Sequence, residues 1–304
     1  MSTILTVHHS TVYRYARPVS FSEHRLMFRP RDSHDMRLID TGLTIVPHAT
    51  VRWMHDVFGN SIAIASFDTP ADELRFESLI TVEHFGISDS DFPIAPYARS
   101  LPFAYAGDEL PDLGRTVERH YPDPAHEVDA WAKQFLSTKG PTDTNELLIK
   151  MTQSIKDQFA YVERREEGVQ TPVQTLGLGS GSCRDLAVLM MEAVRSLGMA
   201  ARFVSGYLYD SALDGAQRKI VGAGSTHAWV QVYLPGAGWL EFDPTNGLVG
   251  GPNLIRVAVA RDPAQAVPLM GTYVGTQGDF LGMTVEVTVT ARPSEFRMPV
   301  GLAS

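Results

Sequence analysis

Three residue types suited to nucleophilic chemistry lie in the second half of this chain, beginning with Cys183, the only cysteine among 304 residues. Cys183 follows the small residues 179–182 and heads a stretch whose apolar positions recur at helical spacing. A thiol at the start of a helix faces free backbone N–H groups and the positive end of the helix dipole, which favour thiolate over thiol. We therefore predict that Cys183 is a nucleophile rather than a small core residue.

The helix that would carry this thiol has clear signals at both ends. Its apolar residues follow an i, i+3, i+4, i+7 pattern: Leu186, Leu189, Met190, Ala193, Val194 and Leu197. Ser180 and Ser182 can cap its start, and Gly198 can adopt the left-handed conformation that ends a helix. The sequence predicts a helix from Cys183 to about Leu197.

The partners expected for the thiol lie on a predicted β-hairpin. Residues 227–234 alternate like a strand, residues 234–239 read as a turn, and residues 239–243 read as the returning strand. This hairpin places His227 at the start of one strand and Asp243 at the end of its neighbour. A Cys–His–Asp triad needs this arrangement, in which cysteine attacks, histidine transfers the proton and the carboxylate fixes the imidazole tautomer.

The register of the hairpin decides whether the histidine and the carboxylate can meet. His227 and Trp229 share one face, so the cross-strand neighbour of Asp243 must be odd-numbered, most simply Trp229. A plain four-residue loop at 235–238 would place Asp243 opposite Val230, on the wrong face. We therefore predict a bulge or a different loop length in this hairpin.

Four ordered motifs in this region resemble the bacterial transglutaminase-like superfamily. They are Cys-Arg-Asp at 183–185, Arg-x-Val-Ser-Gly-Tyr at 202–207, His-Ala-Trp-Val at 227–230 and Phe-Asp-Pro-Thr-Asn-Gly at 242–247. The N-terminal part resembles the domain that precedes this core, through His-Arg-Leu-x-x-Arg-Pro-Arg at 24–31 and Phe-Gly-Asn at 58–60. The resemblance implies Cys183 as nucleophile, His227 as base and Asp243 as orienting carboxylate.

The expected fold class is α+β. Regularly spaced short strands over residues 1–95 predict an N-terminal antiparallel β-sandwich. The resemblance implies a papain-like transglutaminase core over residues 96–255, with the cysteine-headed helix packed on an antiparallel sheet. Residues 256–304 form a C-terminal extension with one alternating strand at 282–290, whose partner the sequence does not identify.

The remaining elements are expected at positions that frame this core. Six strands are predicted in the N-terminal domain, over residues 3–15, 21–30, 38–46, 51–55, 61–67 and 74–84. Two helices are predicted over 124–136 and 145–159. Residues 86–114 read as a linker, and residues 210–226 are the candidate for a mobile flap beside the substrate.

Further site residues are expected around the thiol. The backbone N–H of Cys183 is the natural first oxyanion donor, and either Gln174 or Tyr161 could supply the second. Asp185 could serve chemistry or simply suit the helix dipole, and both readings stay open. Trp229 could shield the imidazole, line a pocket or pack in the core.

Composition excludes several classes of function. A net charge of −9 argues against a nucleic acid or an anionic membrane as partner. One cysteine leaves no internal disulfide, and the scattered histidines 8, 9, 24 and 55 show no metal-ligand spacing, so we expect no metal and no cofactor. The sequence shows neither a signal peptide nor an apolar run of about 18 residues, so a cytoplasmic location is expected.

The function predicted from these features is a cysteine-dependent, peptidase-like amide hydrolase that works through a thioester acyl-enzyme on a peptide or protein substrate. Two alternatives remain open. One is a protein-glutamine transamidase, in which an amine replaces water, and the other is a catalytically silent peptide-binding scaffold. The sequence leaves the substrate's identity and the oligomeric state undetermined.

Overall fold

The computed structural model describes residues 2–85, 92–164, 166–209, 225–251 and 253–294. The N-terminal region contributes six strands: β1 (Thr3–Phe21), β2 (His24–Leu26), β3 (Met36–Val46), β4 (Ala49–His55), β5 (Ser61–Phe67) and β6 (Ala71–His84). All six lie where alternating patterning predicted strands, although β2 is much shorter than the predicted 21–30.

The middle of the chain is mainly helical. In order it forms β7 (Ser100–Leu101), α1 (Glu109–Leu113), α2 (Glu127–Lys133), β8 (Thr142–Asp143), α3 (Thr144–Gln158), β9 (Ala160–Tyr161), α4 (Pro172–Leu178), β10 (Ser180–Gly181) and α5 (Cys183–Ser196). Single 3-10 turns lie at Pro96–Ala98 and Gly114–Val117. Short elements therefore occupy the described part of the predicted linker, residues 92–114.

The C-terminal third consists of strands. They are β11 (Ala201–Leu208), β12 (His227–Leu234), β13 (Gly238–Asp243), β14 (Leu248–Val249), β15 (Leu254–Ala260), β16 (Leu269–Met270), β17 (Tyr273–Val274) and β18 (Phe280–Pro293). Two 3-10 turns, Pro263–Gln265 and Gln277–Asp279, separate the last of these. The predicted flap at 210–226 falls almost wholly outside the described residues.

Three main sheets build the molecule. The core sheet has the order β14-β13-β12-β11-β15, with neighbouring strands antiparallel. In the N-terminal unit, one sheet runs β17-β1-β6-β3 with β18 also paired to β1, and the other runs β16-β2-β5-β4. Apolar side chains from both N-terminal sheets, including Tyr15, Leu26, Leu74 and Phe76, fill the sandwich between them.

The C-terminal extension completes the N-terminal unit, which changes the expected domain division. β18 pairs with β1 from Thr3↔Pro293 through Tyr15↔Phe280, while β16 and β17 pair with β2 and β1. β15 extends to Ala260 and belongs to the core sheet, so a boundary after residue 255 cuts through a strand. A strand's alternating pattern shows which face is buried but not which distant strand it joins, so the sequence could not identify this partner.

Helix α5 lies at the centre of the core. Its residues are buried almost all round, against the face of the core sheet that carries Val230 and Phe203 and against α2 to α4. Gly198 follows it with φ of 85°, as the left-handed stop predicts. No helix in the described ranges is long and apolar enough to cross a membrane.

Candidate active site

Cys183 is the first residue of α5, and its side chain is 8% exposed. The preceding residue, Ser182, has extended φ and ψ, as the residue that caps a helix does. The thiol therefore lies in the first turn, where backbone N–H groups have no partner within the helix. The geometry expected of Cys183 from the sequence is present.

Asp185 connects the start of α5 by hydrogen bonds to residues that precede the helix in the chain. Its buried carboxylate accepts hydrogen bonds from the N–H of Ser182 at 2.8 Å, the N–H of Gln170 at 2.7 Å and the Arg164 guanidinium at 2.8 Å. Burial by itself raises the pKa of Asp185, but these donors outweigh it and lower the pKa. The structure thus gives Asp185 a structural role in holding the nucleophile's turn.

Gly181 allows this turn to close. A Cβ at Gly181 would lie 2.7 Å from the Cβ of Asp185 and 3.2 Å from Oε1 of Gln170. Only a residue without a side chain fits there, since real Cβ atoms do not approach other carbons so closely. This close approach explains one of the glycines that precede the cysteine.

His227 and Asp243 form a buried pair. The Nε2–H of His227 donates to Oδ2 of Asp243 at 2.8 Å, and both side chains have no exposed surface. Asp243 is held in turn by the N–H of Thr245 at 3.0 Å and the Nδ2 of Asn246 at 2.9 Å. The carboxylate is therefore oriented before any substrate arrives.

The charges of this pair stabilise each other. Burial alone lowers the pKa of His227, but the negative charge of Asp243, its hydrogen bond and the nearby Cys183 thiol together raise the pKa above the ordinary value. Burial alone raises the pKa of Asp243, and the imidazolium with the Asn246 and Thr245 donors reverses this and lowers it. We infer an imidazolium–carboxylate pair at neutral pH.

The second ring nitrogen of His227 is the one available to Cys183. Nδ1 is buried and makes no hydrogen bond of good geometry with the described residues, yet the thiol is close enough to help raise the pKa of the imidazole. These observations fit a contact that is slightly too long or misaligned. Contacts of this kind commonly tighten only when substrate binds.

The hairpin reaches this geometry through a three-residue loop. Leu234 pairs with Gly238, and Val230 pairs with Phe242, so Asp243 follows in register opposite Trp229. The predicted change of loop length is confirmed. Gly236 and Gly238 both have positive φ, and they let the loop at 235–237 close with one residue fewer than the plain turn.

Trp229 packs against the imidazole. Its ring stacks on that of His227 with centroids 6.0 Å apart and an angle of 29° between the planes, and it has no exposed surface. The shared face predicted for the two side chains is confirmed. Gly206 leaves room for this indole, because a Cβ there would lie 2.7 Å from Cη2 of Trp229 and 2.1 Å from the carbonyl oxygen of Ile255.

Of the two residues offered as second oxyanion donor, the structure brings only Tyr161 toward the thiol. Tyr161 pairs with Gly181 in the short parallel ladder of β9 and β10. Burial and the negative charge of a Cys183 thiolate raise its pKa to about 12, so the phenol keeps its proton. A protonated phenol near the thiol can donate a hydrogen bond to a developing oxyanion.

Gln174, the other residue expected in this role, has its contact on α4. Its side chain is exposed, and its Oε1 accepts a hydrogen bond from the N–H of Thr171 at 2.9 Å, as the third residue of a capping box on α4. The Thr171-x-x-Gln174 spacing is itself a capping signal, so the sequence contained the information that assigns this side chain elsewhere.

Several residues of the site were missed in the sequence. Arg164 and Gln170 reach Asp185 from a loop without distinctive patterning, and no local signal marks them. Asn246 could have been found, because it lies three residues after Asp243 within the same motif. In the second half of α5, the fully buried Glu192 forms ion pairs with Arg119 and Arg195.

Two of the scattered histidines, His9 and His24, have structural partners. Nδ1 of His9 lies 2.8 Å from the hydroxyl of Tyr207, and Nδ1 of His24 lies 2.9 Å from the carbonyl oxygen of Ser22. Within the described ranges, no group of three or more His, Cys, Asp or Glu side chains is arranged to hold a metal ion.

Comparison with known proteins finds the same two regions. Residues 5–83 match the bacterial transglutaminase-like N-terminal region, and residues 129–244 match the transglutaminase-like superfamily. An uncharacterised protein of Mycobacterium tuberculosis is 29% identical over 292 residues, covering 92% of this chain and 91% of that protein. A protein-glutamine gamma-glutamyltransferase of Pseudomonas aeruginosa is 36% identical over 66 residues, covering 22% of this chain and 10% of that enzyme.

A solved structure has the same fold over nearly the whole chain. It is the crystal structure of a candidate cysteine protease from Cytophaga hutchinsonii, with a TM-score of 0.69 and 16% identity over 98% of this chain and 93% of that one. The fold and the grouping of Cys183, His227 and Asp243 define a papain-like α+β protein. The chain belongs to the transglutaminase-like superfamily and carries the bacterial N-terminal region ahead of its core.

Proposed function

We propose that this protein is a cysteine-dependent amide hydrolase acting on a peptide or protein through a Cys183–His227–Asp243 triad. The observation that carries the proposal is the buried hydrogen bond of 2.8 Å between His227 and Asp243. It leaves Nδ1 of His227 available to exchange a proton with the Cys183 thiol at the start of α5. A pre-oriented base beside an activated nucleophile is the arrangement that covalent acyl transfer requires.

In the acylation step, the Cys183 sulfur attacks the amide carbonyl carbon and forms a tetrahedral oxyanion. The Cys183 backbone N–H and the Tyr161 hydroxyl donate hydrogen bonds to that oxygen. The imidazolium of His227 gives its proton to the departing amine nitrogen as the C–N bond breaks. The products are a thioester on Cys183, a free amine and a neutral imidazole.

In the deacylation step, His227 accepts a proton from water while the water oxygen attacks the thioester carbonyl carbon. The carbon–sulfur bond breaks, the carboxylic acid leaves, and the thiolate–imidazolium pair returns. Asp243 stays ionised throughout and holds the imidazole, because its buried hydrogen bonds keep its pKa low.

We favour water over an amine as the acceptor of the acyl group, because water is far more concentrated than any amine. Transamidation needs a pocket that binds an amine and also excludes water. Near the thiol, Asp185 cannot provide such a pocket because Arg164 already neutralises its charge. Glu241 likewise pairs with Arg256 at 2.7 Å. Neither carboxylate is free to attract a lysine.

The test compares the wild type with Cys183→Ala on glutamine- and glutamate-containing peptides in the presence of an excess of a labelled primary amine. Release of free acid that depends on Cys183, with a thioester on Cys183 captured by mass spectrometry, is the expected result. Predominant amine adduct would replace the hydrolase by a transamidase, the activity named for the Pseudomonas relative. A reactive thiol without turnover across a broad peptide set would favour a binding scaffold.

A further inference from the structure

The last strand of the described residues leaves a long sheet edge without a partner strand. β18 is 14 residues long, about 45 Å, and 13 of its residues pair with β1 along one side. No other described strand pairs with its opposite side. An edge of this kind presents a row of N–H and C=O groups to solvent and is a ready template for another strand.

The two faces of β18 differ in burial between residues 284 and 292. Val287 and Val289 are buried on the inner face, beneath which lies a cluster that includes Tyr207 of the core sheet. The outer face is exposed and mostly small and polar: Thr284, Glu286, Thr288, Thr290 and Arg292. A strand added to this edge must therefore carry the same pattern of one apolar and one polar face.

From this edge we infer that a second copy of the chain pairs with β18 in antiparallel fashion, so that one sheet continues across a two-fold symmetric dimer. A two-fold interface needs a strand that is complementary to itself. β18 meets this requirement in the register that places Val289 opposite Val289 of the second copy.

In this register the central facing pairs, between residues 286 and 292, match. Glu286 lies opposite Arg292 of the other copy, and the symmetry repeats this ion pair. Thr288 faces Thr290, and on the inner face Val287 faces Ala291. Neither Glu286 nor Arg292 has an ion-pair partner among the described residues of its own chain, so both charges are available.

Neighbouring registers lose the charge match. Shifts by one residue turn the apolar face of one strand against the polar face of the other, which the pleat forbids. Shifting the symmetry centre to residue 288 pairs Glu286 with Thr290, and shifting it to residue 290 pairs Glu286 with Ser294. Only the register centred on Val289 joins Glu286 to Arg292.

The test measures the dimer dissociation constant of the full chain by sedimentation equilibrium. The wild type is expected to be dimeric. Glu286→Arg sets two like-charge pairs across the interface and is expected to weaken the dimer about tenfold or more. Arg292→Glu should do the same, and the double variant Glu286→Arg/Arg292→Glu should return the dissociation constant to near the wild-type value.

These surface substitutions lie outside the catalytic residues and the buried core, so alkylation of Cys183 should be unchanged in all variants and reports that they fold. A wild type that stays monomeric at high concentration overturns the inference, whether the edge remains solvated or is covered by the chain's own residues. A dimer that resists both single charge reversals overturns it as well, since its interface would lie elsewhere.

Discussion

At the scale of single residues, the candidate site depends on which groups hold a charge and which hold a proton. Asp243 is ionised and His227 is cationic because each lowers the energetic cost of burying the other. Tyr161 keeps its proton because it is partly buried and because a thiolate would lie nearby. Cys183 is therefore close to a protonated imidazole at His227, which the Asp243 carboxylate orients, and to a hydrogen-bond donor at Tyr161.

Tyr161→Phe should slow acylation without reducing the reactivity of the thiol. Loss of one oxyanion donor should lower the rate of thioester formation from an activated ester such as p-nitrophenyl acetate by about tenfold to a hundredfold. Alkylation by iodoacetamide forms no oxyanion and should be unchanged. Gln174→Ala is the matched control and should alter neither rate, because that side chain only caps α4; equal loss in both variants would remove Tyr161 from the oxyanion site.

Asp243→Asn should reduce thiol reactivity at mildly acidic pH. Without the carboxylate, burial lowers the pKa of His227, and the imidazolium that favours a thiolate at Cys183 is lost. The iodoacetamide rate at about pH 6 should therefore exceed that of an unstructured thiol in the wild type and fall about tenfold or more in the variant. Equal rates in wild type and variant would contradict a working His227–Asp243 pair.

The same substitution should change stability in a defined pH window. A histidine whose folded pKa is raised stabilises the fold fully below its unfolded value of about 6.5, and this stabilisation is lost as pH rises toward the folded value. Asp243, whose folded pKa is lowered, stabilises the fold above about pH 4, and this stabilisation is lost as the pH falls further. The difference in unfolding free energy between wild type and Asp243→Asn should be larger at about pH 5.5 than at about pH 9, as measured by denaturant titration.

At the scale of secondary-structure elements, the site depends on how tightly α5 is joined to its surroundings. Asp185 joins its first turn to Arg164 and Gln170, and Glu192 joins its later turns to residues 119–121. Both carboxylates are fully buried, and removing Glu192 would leave the buried Arg195 guanidinium without its ion-pair partner. The thiol is therefore fixed by polar contacts as well as by apolar packing.

Gly181→Ala should destabilise the protein by about 1–3 kcal/mol, because its Cβ would overlap the Cβ of Asp185. Gly177→Ala is the matched control from the same segment. No atom lies within 4 Å of a Cβ at Gly177, which is part of α4, so this change should stabilise by up to about 1 kcal/mol. Chemical denaturation of both variants measures this contrast, and similar effects would refute the close approach at Gly181.

The sequence predicts the elements that local patterning encodes and misses those that depend on distant partners. The helix from Cys183 and the hairpin from His227 to Asp243 follow from periodicity, capping and turn residues. The parity of the strands also predicted a bulge or a change of loop length, and the structure has the shorter loop. The contact of Arg164 with Asp185 could not be predicted, because a loop's path is set by what it packs against. The Thr171-x-x-Gln174 pattern predicts a capping role for the Gln174 side chain, and the structure shows that contact.

At the scale of the whole molecule, the N-terminal unit supports the sheet that bears His227. Apolar residues of β1, β3, β6 and β18 share a buried cluster with Tyr207, Ile255 and Val257 of the core. Within the core sheet, β11 pairs Gly206 with His227 and also pairs with β15. The N-terminal unit thus covers β15 and β11, and β11 borders the strand that holds His227.

Asn60 forms hydrogen bonds that join the N-terminal unit to the core sheet. Its Nδ2 donates to the carbonyl oxygen of Val259 at 2.7 Å, and its Oδ1 accepts from the N–H of Val259 at 2.9 Å, so one side chain extends the pairing of β15 into the N-terminal unit. Gly59 next to it adopts a φ of 71° and lets the turn present Asn60 inward. The Phe-Gly-Asn motif is therefore a connection between the two units as well as a turn.

Asn60→Ala should cost about 2–4 kcal/mol of unfolding free energy, because it leaves both backbone groups of Val259 buried without a partner. Since those groups lie on β15, the loosened contact should also allow the N-terminal unit to unfold at a lower temperature than the core. Calorimetry of the variant should then show a broadened or double transition, while Thr50→Ala, at an exposed position of β4, should leave a transition like that of the wild type. A single transition with an unchanged midpoint in Asn60→Ala would mean that apolar packing alone joins the two units.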